Sequence, residues 1–357
     1  MKRVVLLTEI PAPYRIPLFN ALAVRVDLEV VFLARRNPER PYELHEEELS
    51  FRWRVLPHRD VTVGGRWFVL NRGALGSLRG ADVIIVGGWN QPAFALALAW
   101  ARAARIPAIC WIESTLTDRR PSRTGAVKRI LARLCTAFVV PGAAAREYVA
   151  TLAPRARIAT APNAVDATLF ASRVEDRDAL RAELGIEGCC FLYVGRLAPE
   201  KGVDVLLRAF AGVDGELVIA GAGPEEERLR RLAPLRTRFL GNVERDALPA
   251  WYAAADALVL PSLSEPWGMP LNEGAAAGLP LVATDAVGAA RELIEDGGNG
   301  FVVRAGDVDA LHDALARIST DAAFREAAGA RSRRVSAAMT PERWADAVVE
   351  LVDDLAG

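Results

Sequence analysis

Residues 190–202 carry the sequence CFLYVGRLAPEKG, in which a short apolar run leads into a polar loop. The run Cys190–Val194 has the length and composition of a buried strand, and a helix is predicted to begin near Gly202. Between them the loop carries two cations, Arg196 and Lys201. A buried strand followed by a loop and a helix is the unit from which parallel sheets covered on both faces are built.

The same alternation of short apolar runs and helix-length segments extends over most of the 357 residues. We predict two series of strands, the first at 4–7, 28–33, 83–86, 108–112 and 137–140, and the second at 190–194, 217–220, 239–240, 257–260, 281–283 and 301–303. The fold class is therefore α/β, with two doubly wound Rossmann-like domains. Because ligands of such sheets bind beyond the carboxyl ends of the strands, we expect both domains to face a common cleft.

The domain boundaries follow from interruptions of this alternation. Residues 1–165 form the first predicted domain and residues 170–338 the second, with the polar stretch 164–178 as the linker. The segment 38–71, rich in Glu, Arg, Trp and Pro, is predicted to be irregular or antiparallel. The last segment, 341–357, is predicted to be a helix because Pro occupies its first position and its apolar residues recur at helical spacing.

Composition narrows the class of protein. Lys and Arg number 44 and Asp and Glu number 45, a net charge of −1 that argues against a general nucleic-acid-binding protein. A hydrophobic fraction of 52 % excludes a mainly disordered chain. The lysines are Lys2, Lys128 and Lys201 alone, so the presence of a lysine in the loop after residue 194 is itself unusual.

The spacing of cysteines, histidines and apolar runs predicts the compartment. The four cysteines and three histidines show no C-x-x-C or metal-ligand pattern, so we expect reduced thiols and no metal site. The first apolar run ends at Thr8-Glu9, too soon for the core of a secretory signal. No apolar stretch approaches the roughly 20 residues that cross a bilayer. We therefore predict a cytoplasmic protein that meets a membrane only at its surface.

A second polar loop follows the run 257–260 and leads to a helix predicted to begin near Pro270. Gly268 and Pro270 suit a turn that ends in a helix N-terminus, where unpaired backbone amides attract phosphate. Glu265 precedes this helix, and Glu273 is predicted in its first turn. A carboxylate in a first turn can serve only the helix dipole, a role that fits Glu273 but leaves Glu265 unexplained.

Gly221 and Gly223 follow the predicted strand 217–220 in a G-x-G pattern, which is a weak signal alone. Glycine at such a turn lets a ligand approach the backbone, but a plain tight turn is the simpler explanation. Arg196 and Lys201 likewise fit a solvated basic loop, an explanation that the scarcity of lysine weakens.

Together these motifs resemble those of the retaining glycosyltransferases of family 4. The matching stretches are G-R-L-x-x-E-K-G with Arg196 and Lys201, the glycine pair at 221 and 223, E-P-W-G-M-P-L-N-E-G with Glu265 and Glu273, P-N-A-V-D at 162–166 and G-N-G-F at 298–301. The resemblance implies a GT-B architecture, in which two Rossmann-like domains enclose the cleft and the last helix crosses back onto the N-terminal domain. It implies an acceptor-side first domain and a second domain that binds the nucleotide sugar.

The resemblance also implies a role for each matching residue. Arg196 and Lys201 would hold the donor diphosphate. Glu265 would contact the transferred sugar, and Glu273 would bind the ribose hydroxyls. The other residues implied in donor binding are Gly195, Gly221, Gly223, Val243, Gly268, Met269, Leu271 and Asn272. Of these, Val243 belongs to the segment that meets the base, and Met269, Leu271 and Asn272 would offer backbone N–H groups to the β-phosphate, because Pro270 has none.

The N-terminal half departs from the family pattern. Many members have a Gly-rich loop after the first strand, whereas this chain has IPAPYR, ending in the candidate Arg15. Many members place a sugar-contacting His where this chain has CWIEST, so Glu113 is the candidate there, with a salt-bridged strand end as the alternative. Trp89 and Asn90 follow another strand; Trp89 would stack on a sugar or fill the domain core.

The predicted function is metal-independent, retaining transfer of a hexose from a nucleotide diphosphate sugar to a glycan, lipid-linked or small-molecule acceptor, without a cofactor. A polysaccharide-building reaction would fit. The basic run over 119–133 would touch anionic lipid headgroups or form a solvated helix face. Two alternatives stay open, a GT-B nucleotide-sugar 2-epimerase and a non-catalytic two-domain sugar-binding protein. The sequence leaves the base, the sugar, the acceptor and the oligomeric state open.

Overall fold

A computed structural model describes residues 1–38, 45–117 and 125–357 of the chain. They form two α/β units, each with its own parallel sheet. The first unit contains Met1–Leu116, 125–164 and Pro341–Gly357, and the second contains Val165–Thr340.

The first unit is built on a parallel sheet whose strands are short and apolar. Its strands are β1 (Arg3–Thr8), β2 (Asp27–Phe32), β3 (Arg52–Val55), β4 (His58–Val63), β5 (Arg66–Asn71), β6 (Val83–Val86), β7 (Ala108–Trp111), β8 (Ala137–Val140) and β9 (Arg157–Thr160). Over the described residues the sheet has the order β3-β2-β1-β6-β7-β8-β9, all parallel. Val4–Leu7 of β1 are fully buried, as expected of a central strand covered on both faces.

Helices cover this sheet, and a hairpin interrupts the alternation. The helices before residue 164 are α1 (Ile16–Ala23), α2 (Pro92–Ala104), α3 (Gly125–Leu134) and α4 (Ala143–Leu152). Strands β4 and β5 pair antiparallel from His58↔Asn71 to Val63↔Arg66, which confirms the antiparallel excursion predicted within 38–71. The chain returns from this hairpin to β6, next to β1.

The second unit repeats the arrangement. Its strands are β10 (Cys190–Val194), β11 (Glu216–Ala220), β12 (Thr237–Gly241), β13 (Ala257–Leu260), β14 (Leu281–Thr284) and β15 (Gly300–Val303). Its helices are α5 (Ala167–Ala171), α6 (Arg177–Leu184), α7 (Val203–Phe210), α8 (Glu226–Leu232), α9 (Leu248–Ala254), α10 (Met269–Ala277), α11 (Ala290–Leu293), α12 (Val308–Thr320) and α13 (Ala322–Ser336). The strand order β12-β11-β10-β13-β14-β15 reverses direction between β10 and β13, and ligands of doubly wound sheets bind at such a reversal.

The stretch predicted to be the linker, 164–178, contains regular structure. Helix α5 forms inside it, and the Asp166 side chain caps that helix by accepting from the backbone N–H of Thr168 and Leu169. Phe170 is buried, with its ring 5.3 Å from that of Tyr252. A five-residue helix with one large apolar side chain is too short to show a hydrophobic period, which is why the sequence pattern missed it.

The last helix, α14 (Pro341–Ala356), belongs to the first unit and packs on α1. Trp344 is buried with its ring centroid 5.0 Å from that of Trp111 and 6.4 Å from that of Phe19. At the far end the Lys2 ammonium donates to the carbonyl of Ala356 at 2.6 Å. These contacts confirm that the C-terminal helix crosses back onto the N-terminal domain, and each large apolar side chain buried there contributes roughly 1.5–3 kcal/mol.

Candidate active site

The two motif loops of the second unit follow neighbouring strands. Strands β10 and β13 pair in parallel, so the loops that follow them leave the same edge of the sheet. The loops also touch through their backbones, because the N–H of Leu263 donates to the carbonyl of Glu200 at 2.8 Å. A side chain on Gly202, whose φ is +64°, would overlap the carbonyl of Pro261. This interlock fixes the predicted site residues of both loops relative to each other.

Lys201 and Glu265 meet across the interlocked loops. The Lys201 ammonium forms an ion pair with the Glu265 carboxylate, and the two side chains are only 20 % and 14 % exposed. A pair this sheltered is weakly screened by salt, unlike most surface ion pairs. The structure thus brings together two residues that are 64 positions apart and that the sequence singled out independently.

Arg196 is the more exposed of the two predicted cations. Its guanidinium pairs with the carboxylate of Glu200, four residues later. Its backbone carbonyl accepts a hydrogen bond from the hydroxyl of the fully buried Tyr193 at 3.0 Å. Burial raises the pKa of Tyr193, so the hydroxyl stays a donor at physiological pH. The backbone of Arg196 is therefore fixed by a buried residue, while its side chain is exposed to solvent.

The glycine pair is explained by close packing of neighbouring loops. A side chain on Gly221, whose φ is +145°, would overlap the carbonyl oxygen of Gly195, and one on Gly223 would overlap that of Leu197. Between these approaches the N–H of Leu197 donates to the carbonyl of Ala222 at 2.9 Å. Backbone contact alone therefore requires both glycines.

Helix α10 begins at Met269, directly after Gly268, whose φ of +101° suits glycine. A Cβ at Gly268 would lie 2.8 Å from both Leu260 and Val287, so the turn is closely packed. The N–H of Leu271 donates to the Gly268 carbonyl at 2.9 Å. This amide, predicted to face a phosphate, is thus engaged in the first turn of the helix.

The side chain of Asn272 binds the neighbouring loop through a hydrogen bond. The Asn272 carboxamide oxygen accepts from the indole N–H of Trp267 at 2.8 Å, and both residues are buried. Such a buried hydrogen bond satisfies the indole donor and ties the loop before α10 to the helix itself.

Glu273 lies in the second turn of α10, not in the first as predicted, because the helix already begins at Met269. Interaction with the helix dipole falls off within the first turn, so it does not account for this carboxylate. Burial raises the pKa of Glu273 to about 7, against a hydrogen bond from Tyr252 and the charge of Arg245, which both lower it. The hydroxyl of Tyr252 donates to Glu273 Oε2 at 2.5 Å.

The segment predicted to meet the base lies at the end of β12. The Gly241 carbonyl accepts from the N–H of Gly221 at 2.7 Å, which ties this segment to the glycine turn. Val243 is half-buried and packs against the core of the second unit.

In the first unit, Arg15 and Glu113 pair with each other. The Arg15 guanidinium lies 3.3 Å from Glu113 Oε1, and the same oxygen accepts from the Asn163 amide at 3.1 Å. Arg15 also donates to Thr8 Oγ1 at 3.1 Å, and its guanidinium carbon lies 4.4 Å from the centre of the Trp111 ring. Glu113 is thus a salt-bridged strand end, the alternative that the sequence left open.

The side chain of Trp89 packs against that of Tyr148. Its ring meets that of Tyr148 edge-on at 6.3 Å, and the Lys128 ammonium lies 5.8 Å from the Trp89 ring centre. Lys128 also donates to the Tyr148 hydroxyl at 2.8 Å, which gives this lysine a local structural role. The neighbouring Asn90 lies 3.4 Å from Glu9 Oε1. These contacts favour the core-filling role of Trp89.

Sequence reasoning missed Tyr193, Glu200 and Tyr252, whose side chains position or pair with predicted site residues. Tyr252 lies on the helix before β13, within an apolar stretch that gives no sign of a polar function. Glu200 belongs to the motif G-R-L-x-x-E-K-G, where its position between Arg196 and Lys201 indicates an ion pair with one of the two cations.

Two family models match successive parts of the chain. Residues 18–169 match the model described as Glycosyltransferase Family 4, and residues 176–335 match the one described as Glycosyl transferases group 1. The gap between the matches falls just after the boundary between the two structural units.

Curated relatives cover part of the chain. A GDP-mannose-dependent alpha-(1-6)-phosphatidylinositol monomannoside mannosyltransferase of Mycobacterium tuberculosis is 34 % identical over 231 residues, 59 % of this chain and 58 % of that protein. A D-inositol 3-phosphate glycosyltransferase of Kribbella flavida is 36 % identical over 186 residues, 46 % of this chain and 43 % of that protein. The chain spans about half the length of the curated relatives it matches.

A solved structure matches the whole chain in fold. The Anabaena protein HepE, crystallised in complex with UDP and glucose, has a TM-score of 0.81 at 19 % identity, over 99 % of this chain and 100 % of that one. This likeness confirms the predicted α/β fold class with two Rossmann-like domains of GT-B type. Within the described residues, no helix is long and apolar enough to cross a membrane, and no three His, Cys, Asp or Glu side chains cluster as metal ligands.

Proposed function

Because this chain belongs to the family 4 type of glycosyltransferases, we propose that it transfers a hexose from a nucleotide diphosphate sugar to an acceptor with retention of anomeric configuration. The observation that carries the proposal is the meeting of Lys201 and Glu265 where β10 and β13 end, at the reversal of strand order. A cation for the diphosphate and a carboxylate for the sugar are held there by interlocked loops.

The proposed chemistry follows from the charge that develops on the leaving group. Cleavage of the anomeric C–O bond leaves a nucleoside diphosphate with additional negative charge. Arg196, Lys201 and the amides at the start of α10, around Gly268 and Met269, stabilise this charge as it forms. Two fixed cations supply the compensation that a divalent ion supplies in other transferases, so we propose a metal-independent reaction. Activity that survives EDTA would support this, and activity restored only by added metal would overturn it.

The acceptor hydroxyl attacks on the face from which the diphosphate departs. The new C–O bond forms as the old one breaks, and the acceptor proton passes to an oxygen of the leaving phosphate. The anomeric configuration is retained without a covalent enzyme intermediate. Glu265 contacts a hydroxyl of the transferred sugar, and Glu273 binds the ribose hydroxyls.

The acceptor is proposed to be a lipid-linked, glycan or small polar molecule. The relatives named above act, by their names, on phosphatidylinositol monomannoside and D-inositol 3-phosphate, so phosphoinositol acceptors should be tested first. We place the protein in the cytoplasm, at the inner face of the cell membrane when its acceptor is a lipid.

Helix α3 supports a peripheral contact with anionic membrane. Val127 and Ile130 are more than half exposed on this helix, beside exposed Arg129 and Arg133, a mixture typical of helices that lie at a lipid surface. The predicted basic residues 119–123 fall outside the described residues. Sedimentation with vesicles that contain phosphatidylglycerol tests this contact, which wild type should show and V127D/I130D should lose.

The experiment that tests the proposed function is a thermal-shift screen with UDP, GDP, ADP and dTDP, followed by their sugars. A nucleotide at 100 times its Kd stabilises the folded protein by about 2.7 kcal/mol, which raises the Tm by several degrees. Product analysis of the matching nucleotide sugar separates transfer from 2-epimerisation. If no nucleotide raises the Tm, the proposed function is wrong.

A further inference from the structure

The contact between Tyr252 and Glu273 involves a residue, Tyr252, that none of the motifs includes. Tyr252 is fully buried on α9, and its ring packs edge-on against Phe170 of α5. That packing leaves the phenolic hydroxyl one position, 2.5 Å from Glu273 Oε2. The packing of the Tyr252 ring thus fixes the position of its hydroxyl next to the Glu273 carboxylate on α10.

We infer that Tyr252 is a positioning residue of the donor site, whose hydroxyl holds the Glu273 carboxylate as an acceptor for the ribose hydroxyls. This inference rests on the proposed function, because it concerns how that donor is held. A carboxylate that accepts one hydrogen bond from Tyr252 keeps Oε1 and a second lone pair of Oε2 for a vicinal diol. Without the tyrosine the carboxylate would turn about its side-chain torsions and lose this alignment.

The charge state of Glu273 is the second effect of the contact. Burial raises the pKa of Glu273 to about 7, and the hydrogen bond from Tyr252 opposes that rise because it favours the ionised form. An ionised Glu273 accepts from two hydroxyls, whereas the protonated acid has one good acceptor oxygen left. Donor binding should therefore strengthen as the pH rises through about 7.

Few other charges act on Glu273. Arg245, just before α9, lowers its pKa. Three elements packed on α10, namely α5, β13 and β14, carry no ionisable side chain over their described lengths. The remaining neighbours, α11 and α13, bring the ionisable residues Arg291, Glu292, Arg325, Glu326, Arg331, Arg333 and Arg334. Of these residues, Arg331 is paired with Glu295 and Arg325 with Asp256. The neutral hydroxyl of Tyr252 donates directly to the Glu273 carboxylate.

The test compares wild type with Tyr252→Phe, which removes one oxygen and keeps the ring. A hydrogen bond to an ionised group is worth about tenfold in an equilibrium constant. If Glu273 becomes tenfold harder to ionise, the variant should bind the nucleotide found in the screen at least about fivefold more weakly at pH 7. At pH 9, where Glu273 is ionised in both proteins, only the loss of alignment remains, so the difference in affinity should be clearly smaller than at pH 7. A loss of affinity equal at both pH values would overturn the inference.

A second readout needs no nucleotide. Because the pKa of Glu273 is higher in the folded protein than its ordinary value of 4.5, the folded state loses stability as the pH rises from about 4.5 through about 7. Tyr252→Phe should extend this loss to higher pH, so the Tm difference from wild type should widen between pH 5 and pH 8. Glu273→Gln should abolish the widening, and a Tm difference that stays constant with pH would contradict the inference.

Tyr193→Phe is the matched control. Tyr193 is also fully buried, but its hydroxyl donates to a neutral backbone carbonyl. Its removal should lower the Tm by the same amount from pH 5 to pH 8. If wild type binds no nucleotide, the proposed function fails; if it binds and Tyr252→Phe changes neither pH profile, only this inference fails.

Discussion

The two units share a sheet topology but use the polar ends of their strands differently. In the second unit, the loops after β10 and β13 interlock through their backbones and present Lys201 and Glu265 together. In the first unit, Arg15 and Glu113 are bound to each other and to neighbouring polar side chains. In the second unit, backbone packing fixes where Lys201 and Glu265 lie, whereas in the first unit the side-chain contacts themselves hold the strand ends. The donor chemistry should therefore depend on the second unit far more than on the charged residues of the first.

The largest expected effect is that of Lys201→Ala. Removing the cation that we propose stabilises charge on the leaving diphosphate should lower kcat/KM at least about 100-fold, or about 2.7 kcal/mol. Lys128→Ala also removes one lysine, but one that is bound to Tyr148, and should lower kcat/KM less than about fivefold. Steady-state kinetics with the nucleotide sugar, together with the Tm of each variant, checks both values. Near-normal turnover of folded Lys201→Ala would show that these loops do not form the donor site.

The difference between the units also explains which features the sequence could predict. Lys201 follows β10 within a few residues and Glu265 follows β13 in the same way, so a strand–loop–helix pattern is enough to find each of them. Tyr252 and Glu273 are 21 residues apart, and Arg15 and Glu113 are 98 apart. Their contacts depend on how helices and strands pack, which no local pattern records. Helix α5 was missed for a related reason, because its single buried anchor, Phe170, has meaning only in the folded core.

The interlock between the loops after β10 and β13 is tested by Gly202→Ala. The added Cβ would overlap the carbonyl oxygen of Pro261, and the φ of +64° is unfavourable for alanine. We expect the free energy of unfolding to fall by about 3 kcal/mol, measured by chemical denaturation. Gly212→Ala is the control, since Gly212 also has a positive φ, of +84°, but open space around it, and should cost only about 1 kcal/mol. Equal losses in the two variants would show that the loops are not closely interlocked.

A smaller effect on turnover than that of Lys201→Ala is expected of Glu113→Gln, because Glu113 holds Arg15 in the first unit. The side chains of Arg15 and Glu113 are only 14 % and 26 % exposed, so loss of the carboxylate leaves a sheltered guanidinium unpaired. The free energy of unfolding should fall by about 1–2 kcal/mol, while kcat/KM falls less than about tenfold. Glu226→Gln, which breaks the exposed pair with Arg230, should cost less than about 0.5 kcal/mol. If Glu113→Gln instead lowered kcat/KM 100-fold with no loss of stability, Glu113 would contact the sugar. The first unit would then share in the chemistry rather than only hold its strand ends.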